Sequence, residues 1–246
     1  MPDVAVETLK ESFEDGAVVS AQGFVRYNGR YAKTFSNGTW GTFINSMANK
    51  PSKKKPSANA TPAAPKKRAP RVGTHMKFSS WAFPFVEGAD LMVVRRTNEL
   101  NEGKTGNDNF SYAQFTLLPL FPPLWLIGSM LLLFVIMFFS KISFIRNYLL
   151  KQKSTDGGPN KEQRKDTSVD VIIEAKDGQG KKKTLKMKCP GPYDSTGVAS
   201  AEAALALVYE RASLKKTFGV VTPGAVMNKQ LQANLQKRGG LSWEIQ

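Results

Sequence analysis

The chain has 246 residues, enough to bury one large core or two small ones, with a single cysteine (Cys189) and a single histidine (His75). These counts exclude an intrachain disulfide and a zinc site of the usual Cys/His type, and leave His75 as the sole imidazole base. Lysine and arginine (35) outnumber aspartate and glutamate (20), and a formal charge of +15 asks for an anionic neighbour: phospholipid headgroups, nucleic acid or an acidic partner chain.

Residues 1–48 read as the N-terminal part of an α+β domain. The start, Met1-Pro2-Asp3 followed by Glu7, Glu11, Glu14 and Asp15, has the pattern of neither a signal peptide nor a transit peptide. Val6, Leu9 and Phe13 have helical spacing, and Ala17, Val19, Ala21, Val25 and Tyr27 alternate with polar neighbours as in a strand. Trp40, Phe43, Ile44 and Met47 lie at i, i+3, i+4 and i+7, which predicts a short amphipathic helix with Thr39 as its N-cap.

Residues 49–74 form a basic Pro/Lys linker with eight cations, five prolines and no acidic residue. Such a composition cannot bury apolar surface. Lys53, Lys54, Lys55, Lys66, Lys67 and Arg68 are its candidate electrostatic contacts, with lipid headgroups or a partner chain. Nucleic acid is the weakest partner class, because no aromatic residues are interleaved for base stacking. Residues 75–109 return to the domain.

From Phe110 to Phe139 no residue is charged, and residues 110–150 read as an apolar membrane-associated insert. The predicted membrane-inserting residues are Leu124, Trp125, Leu126, Ile127, Leu131, Leu132, Leu133, Phe134, Ile136, Phe138 and Phe139. The run from Leu124 would gain about 3–7 kcal/mol from lipid. As a helix it is about 24 Å long, against a hydrocarbon core of about 30 Å. Lys141, Arg146, Lys151 and Lys153 follow at headgroup depth. Two topologies fit: a same-face hairpin with limbs 110–121 and 124–139 broken at Pro119, Pro122 and Pro123, or one tilted span ending near Ile145.

Residues 151–166 read as a polar loop, and 167–246 as a β-hairpin, helices and a final strand. Val169, Val171, Ile173 and Ala175 alternate with charges, Asp177-Gly178-Gln179-Gly180 turns the chain, and Leu185, Met187 and Cys189 alternate with lysines. A helix over about Thr196–Arg211 is predicted to face Val198, Ala201, Leu205, Val208 and Ala212 inward. A second covers about Lys229–Arg238 and stops at Gly239-Gly240. Leu241, Trp243 and Ile245 form the last strand.

Gly103-Lys104-Thr105 is not a P-loop, since Asn98 stands where that motif needs glycine. Several pieces in order do carry a resemblance. They are Pro2-Asp3, Ser36-Asn37-Gly38-Thr39-Trp40, Gly88-Ala89-Asp90 with Val93-Val94-Arg95-Arg96-Thr97, Gly191-Pro192-Tyr193, Ala201 to Ala204, and Gly219-Val220-Val221-Thr222-Pro223-Gly224-Ala225. Together they resemble the saccharopine dehydrogenase-like oxidoreductases, over most of the chain except the basic linker. The resemblance implies a mixed sheet with packed helices. It covers only the substrate-side and C-terminal portion: the family's Rossmann domain precedes the matching region, so no nicotinamide site is expected here.

Gly38 and Thr39, at a helix start, and Arg95 and Arg96 are candidate anion or substrate contacts. No catalytic, cofactor-binding or metal-ligating residue is predicted. The expected function is a membrane-anchored accessory subunit without catalysis of its own, partnered by the bilayer and other chains of a membrane complex. The alternatives are the substrate-side half of an NAD(P)-dependent oxidoreductase whose dinucleotide domain lies on another chain or outside this sequence, and a peripheral lipid-binding protein. Thylakoid, mitochondrial inner membrane and ER or lipid droplet all fit.

Overall fold

The computed structural model describes residues 1–14, 18–29, 37–48, 73–84, 89–105, 110–119, 123–151, 159–215 and 219–246. In chain order the elements are α1 (Pro2–Glu11), β1 (Val18–Asn28), α2 (Asn37–Ala48), β2 (His75–Lys77), β3 (Ser80–Pro84), α3 (Ala89–Thr105), β4 (Ser111–Leu118), α4 (Pro123–Phe139), α5 (Ser143–Lys151), α6 (Lys161–Lys165), β5 (Ser168–Asp177), β6 (Lys182–Pro190), α7 (Pro192–Tyr209), α8 (Pro223–Val226), α9 (Asn228–Arg238) and β7 (Ser242–Ile245). They fall into two units, residues 1–32, 67–119 and 165–246, and residues 33–66 and 120–164.

The first unit is α+β. Its strands form one mixed sheet in the order β2-β3-β4-β1-β5-β6-β7, with β1 and β4 parallel and every other neighbouring pair antiparallel. The β5–β6 hairpin follows from its sequence. Period-two alternation pairs Val169 with Cys189, Val171 with Met187 and Ile173 with Leu185, all buried on one face. Asp177 closes the turn: its Oδ1 accepts hydrogen bonds from the backbone N–H of Gln179 (3.0 Å) and Lys181 (2.8 Å). Gly180 supplies the left-handed residue, at φ 93°.

Helix α1 lies on that face and buries Val4, Ala5, Val6 and Leu9 against the sheet, α3 and α9. The alternation of β1 is interrupted by a register shift between Val18 and Ser20, so Val18 rather than Val19 turns inward. Farther along β1, Gly23 lies under Tyr112, whose hydroxyl would be 2.3 Å from an added Cβ. The opposite sheet face carries a smaller cluster of Phe24, Ala82, Phe115 and Leu117. Phe24 stacks on Phe115 and meets Phe78 edge-on, both with ring centroids 5.3 Å apart.

The second unit packs α2 with α4 and α5. Trp40 Nε1 donates to the Leu149 carbonyl at 2.8 Å, its ring stacks on Phe43, and Ile44 is fully buried. Trp40, Phe43 and Ile44 thus form the expected amphipathic face, and the side chain of its fourth residue, Met47, lies outside the described residues. Thr39, however, is not an N-cap: α2 already starts at Asn37, which places Thr39 inside the first turn.

The expected apolar membrane-associated insert is overturned. Its first part, Ser111–Leu118, is strand β4, paired in parallel with β1. Ser111 to Leu118 carries no charge because both faces of the strand are covered, which also makes a run look membrane-like. What remains is α4, and among the described residues no helix is long and apolar enough to cross a membrane. The chain leaves the sheet after β4 and returns at β5, and both strands belong to the same sheet.

Helix α7 also differs from expectation. It buries Ser195, Glu202 and Ala206, whereas Ala201, Leu205 and Val208 point to solvent. Alanine and small residues occur all round this helix, so its sequence carries little periodicity to fix a face. Val198, Ala199 and Ala203 pack against the core, and Arg238 on α9 meets the buried side, its Nε donating to Glu202 Oε1 at 3.0 Å. That hydrogen bond holds the Glu202 carboxyl below its ordinary range.

Candidate functional site

In the first unit four of the motif residues, Asp3, Thr97, Thr222 and Gly224, meet at one junction. Asp3 Oδ2 accepts a hydrogen bond from the backbone N–H of Gly224 (2.9 Å), and the hydroxyls of Thr97 and Thr222 share one of 2.6 Å. Gly224 sits so close that an added Cβ would lie 3.0 Å from Asp3 Oδ2 and 3.1 Å from Thr97 Cγ2. Three segments far apart in sequence are thus held by buried polar contacts, whose role in the structure is architectural. Beside them a second buried network joins α1 to α3. Lys10 Nζ donates to Glu7 Oε1 and Asn98 Oδ1 (both 2.8 Å) and lies 4.2 Å from the Phe110 ring centre. Asn101 Nδ2 donates to Glu7 Oε2 at 2.9 Å, and Lys215 Nζ to Asn101 Oδ1 at 2.9 Å. The buried charges of Lys10 and Glu7 are paired with each other, as burial requires.

Arg95 and Arg96 do not converge on a pocket. Arg95 is half-buried, and Arg96 is exposed and pairs with Glu99 one turn on, at 3.4 Å. Gly38 is exposed, and the side chain of Thr39 lies outside the described residues. The linker cations Lys53, Lys54, Lys55, Lys66, Lys67 and Arg68 lie outside them too.

A cleft of about 450 Å³ opens in the same unit among α1, α7 and the sheet, with Tyr27, Asp90, Ser195, Thr196 and Ser200 among apolar walls. This is within the size range of small-molecule sites. Two of its hydroxyls are already committed: Ser195 Oγ donates to the Pro190 carbonyl (2.7 Å) and Thr196 Oγ1 to that of Pro192 (2.8 Å). Burial, with the charge of Asp90, raises the Tyr27 phenol and keeps it neutral. Asp90 Oδ2 accepts from Gln114 Nε2 at 3.3 Å. Among the described residues no group of three or more His, Cys, Asp or Glu is arranged to hold a metal ion.

The second unit presents a different surface. Ile127, Leu131, Phe134 and Phe138 recur along α4 at i, i+4, i+7 and i+11, and all are exposed. Leu132, Val135 and Phe139 form an adjoining exposed stripe; Ile136 is half-buried. The side chains of Leu124, Trp125, Leu126 and Leu133 lie outside the described residues. Ile142, Phe144 and Tyr148 extend the exposed apolar surface through the next turn and α5. These three were not among the residues singled out from sequence, although Phe144 and Tyr148 have helical i, i+4 spacing. No acidic residue occurs between Phe110 and Lys151, whereas Lys141, Arg146 and Lys151 do. A monomer rarely leaves so many large apolar side chains together in water.

Comparison with protein-family models and with characterised proteins finds no match for this sequence.

Proposed function

We propose that the chain is an accessory protein held at a lipid surface, built on the substrate-side fold of a saccharopine dehydrogenase-like oxidoreductase and without catalysis of its own. The observation that carries this reading is the exposed apolar face of α4, continued into α5, in a stretch whose only charges are cations. Because α4 is short for a crossing, the attachment is interfacial: the apolar stripes lie among the upper acyl chains while the flanking cations stay with the headgroups. Connectivity supports the same arrangement, since β4 and β5 belong to one sheet and must share one aqueous compartment. The motif junction of Asp3, Thr97, Thr222 and Gly224 supports an architectural role for the resembling segments.

Flotation of the full chain with phospholipid vesicles tests the proposal. Wild type floats with them. Leu131→Ser/Phe134→Ser/Phe138→Ser removes three apolar contacts, each contributing roughly 0.3–0.6 kcal/mol, and weakens partitioning about 5- to 20-fold. A wild-type chain that stays in the aqueous fraction with every vesicle composition refutes it.

A second reading, the substrate-side half of an NAD(P)-dependent oxidoreductase, draws on the cleft beside Tyr27 and Asp90. In that reading the nicotinamide domain is supplied from outside this chain, so recovery of a dinucleotide-binding partner bound to it, giving NADPH fluorescence that the chain alone lacks, favours the enzyme half.

A further inference from the structure

We infer that α5 is a headgroup-reading helix that makes the attachment selective for anionic phospholipid bilayers; this rests on the lipid-surface reading above. On α5, Phe144, Tyr148 and Lys151 are spaced i, i+4 and i+7 and so share one face. Phe144 is 81% exposed and Tyr148 58% exposed. Lys141, in the turn just ahead of the helix, adds a second exposed cation three residues before Phe144. In chain order these positions read cation, aromatic, aromatic, cation. Aromatic rings settle at the boundary between headgroups and acyl chains, and lysines extend from that depth toward phosphate.

The opposite side of α5 is occupied within its own unit. Trp40 holds the Leu149 carbonyl, and Leu150 lies within 3.8 Å of where a Cβ on Gly41 would stand. One face of the helix is thus fixed to α2 and the other is free to meet a bilayer. Charge decides which bilayer. With no acidic residue from Phe110 to Lys151, nothing in this stretch offsets the lysines against a negative leaflet. An adjacent lysine favours an anionic surface by roughly fivefold, so the Lys141–Lys151 pair confers about 25-fold.

The experiment uses the full chain, with vesicles of phosphatidylcholine alone and of phosphatidylcholine mixed with phosphatidylglycerol. Wild type is compared with Lys141→Gln/Lys151→Gln and with Lys229→Gln/Lys237→Gln, which removes the same net charge from exposed positions on α9. The expected result is an anionic preference lowered about 25-fold by the first pair and much less by the second, with binding to neutral vesicles unchanged. A polarity-sensitive fluorophore on Phe144→Cys, which is exposed where Cys189 is buried, shifts to the blue on the mixed vesicles. Equal losses from the two lysine pairs, or a label that remains in water on bound protein, overturn the inference while leaving lipid attachment standing. Failure of wild type to bind either vesicle overturns both. A defined oligomer that buries the label without vesicles assigns the face to a second copy and overturns the inference.

Discussion

Phenylalanine has two fates in this molecule. In the first unit Phe24 and Phe115 are buried on the sheet, stacked 5.3 Å apart. In the second, Phe134, Phe138 and Phe144 are 60%, or more, exposed. The first unit closes its own core on both faces of a seven-stranded sheet among the described residues. The second packs α4 and α5 against α2 and leaves a broad run of apolar side chains on α4 and α5 exposed. The first unit keeps Phe24 and Phe115 inside its own core although α7 exposes Leu207, Val208 and Tyr209, whereas the large apolar side chains of α4 and α5 are mostly exposed.

The sharpest way to break that comparison is to truncate one phenylalanine of each kind. Phe24→Ala should destabilise the first unit by about 3–5 kcal/mol in chemical denaturation, because it removes a buried ring and leaves a cavity. Phe144→Ala should change the same transition by less than about 0.5 kcal/mol. Equal effects would mean that Phe144 is buried in solution. A smaller loss, about 1.5–3 kcal/mol, is expected from Asp3→Ala, which leaves the Gly224 N–H without the charged acceptor it meets at 2.9 Å. Asp3→Asn should retain part of it. If the motif junction were a ligand site instead, Asp3→Ala would leave denaturation unchanged.

The last effect concerns pH. Burial pushes the Cys189 thiol up to about 11. An unfolded thiol ionises near pH ~8.5, so above that the unfolded state loses its proton first. The contribution is therefore complete below pH ~8.5 and declines as pH rises toward 11, by roughly 1–3 kcal/mol across the interval. Denaturation of wild type and Cys189→Ala across that range should show a slope that the variant lacks. Native Cys189 should also react slowly with a thiol reagent at pH 8, and quickly once denaturant is added.

The local patterns legible in the sequence were those in which neighbours alone decide. The β5–β6 hairpin, its buried face and its Asp177 turn follow from alternation and turn chemistry, and α9 ends at Gly239-Gly240 as its glycines dictate. The cation-only, apolar character of α4 and α5 was equally visible. Tertiary structure decided the rest, because each remaining choice depends on a partner distant in sequence. Ser111–Leu118 is a strand only because β1 lies alongside it. Helix α7 takes its orientation from its packing on α9 and the sheet, since a ring of alanines states no preference. The junction of Asp3 with Gly224 joins residues at opposite ends of the chain. The exposed face of α5, finally, exists because Trp40 and Gly41 take up its other side. Helical spacing shows which residues share a face, and packing determines which face is left to the solvent or to a membrane.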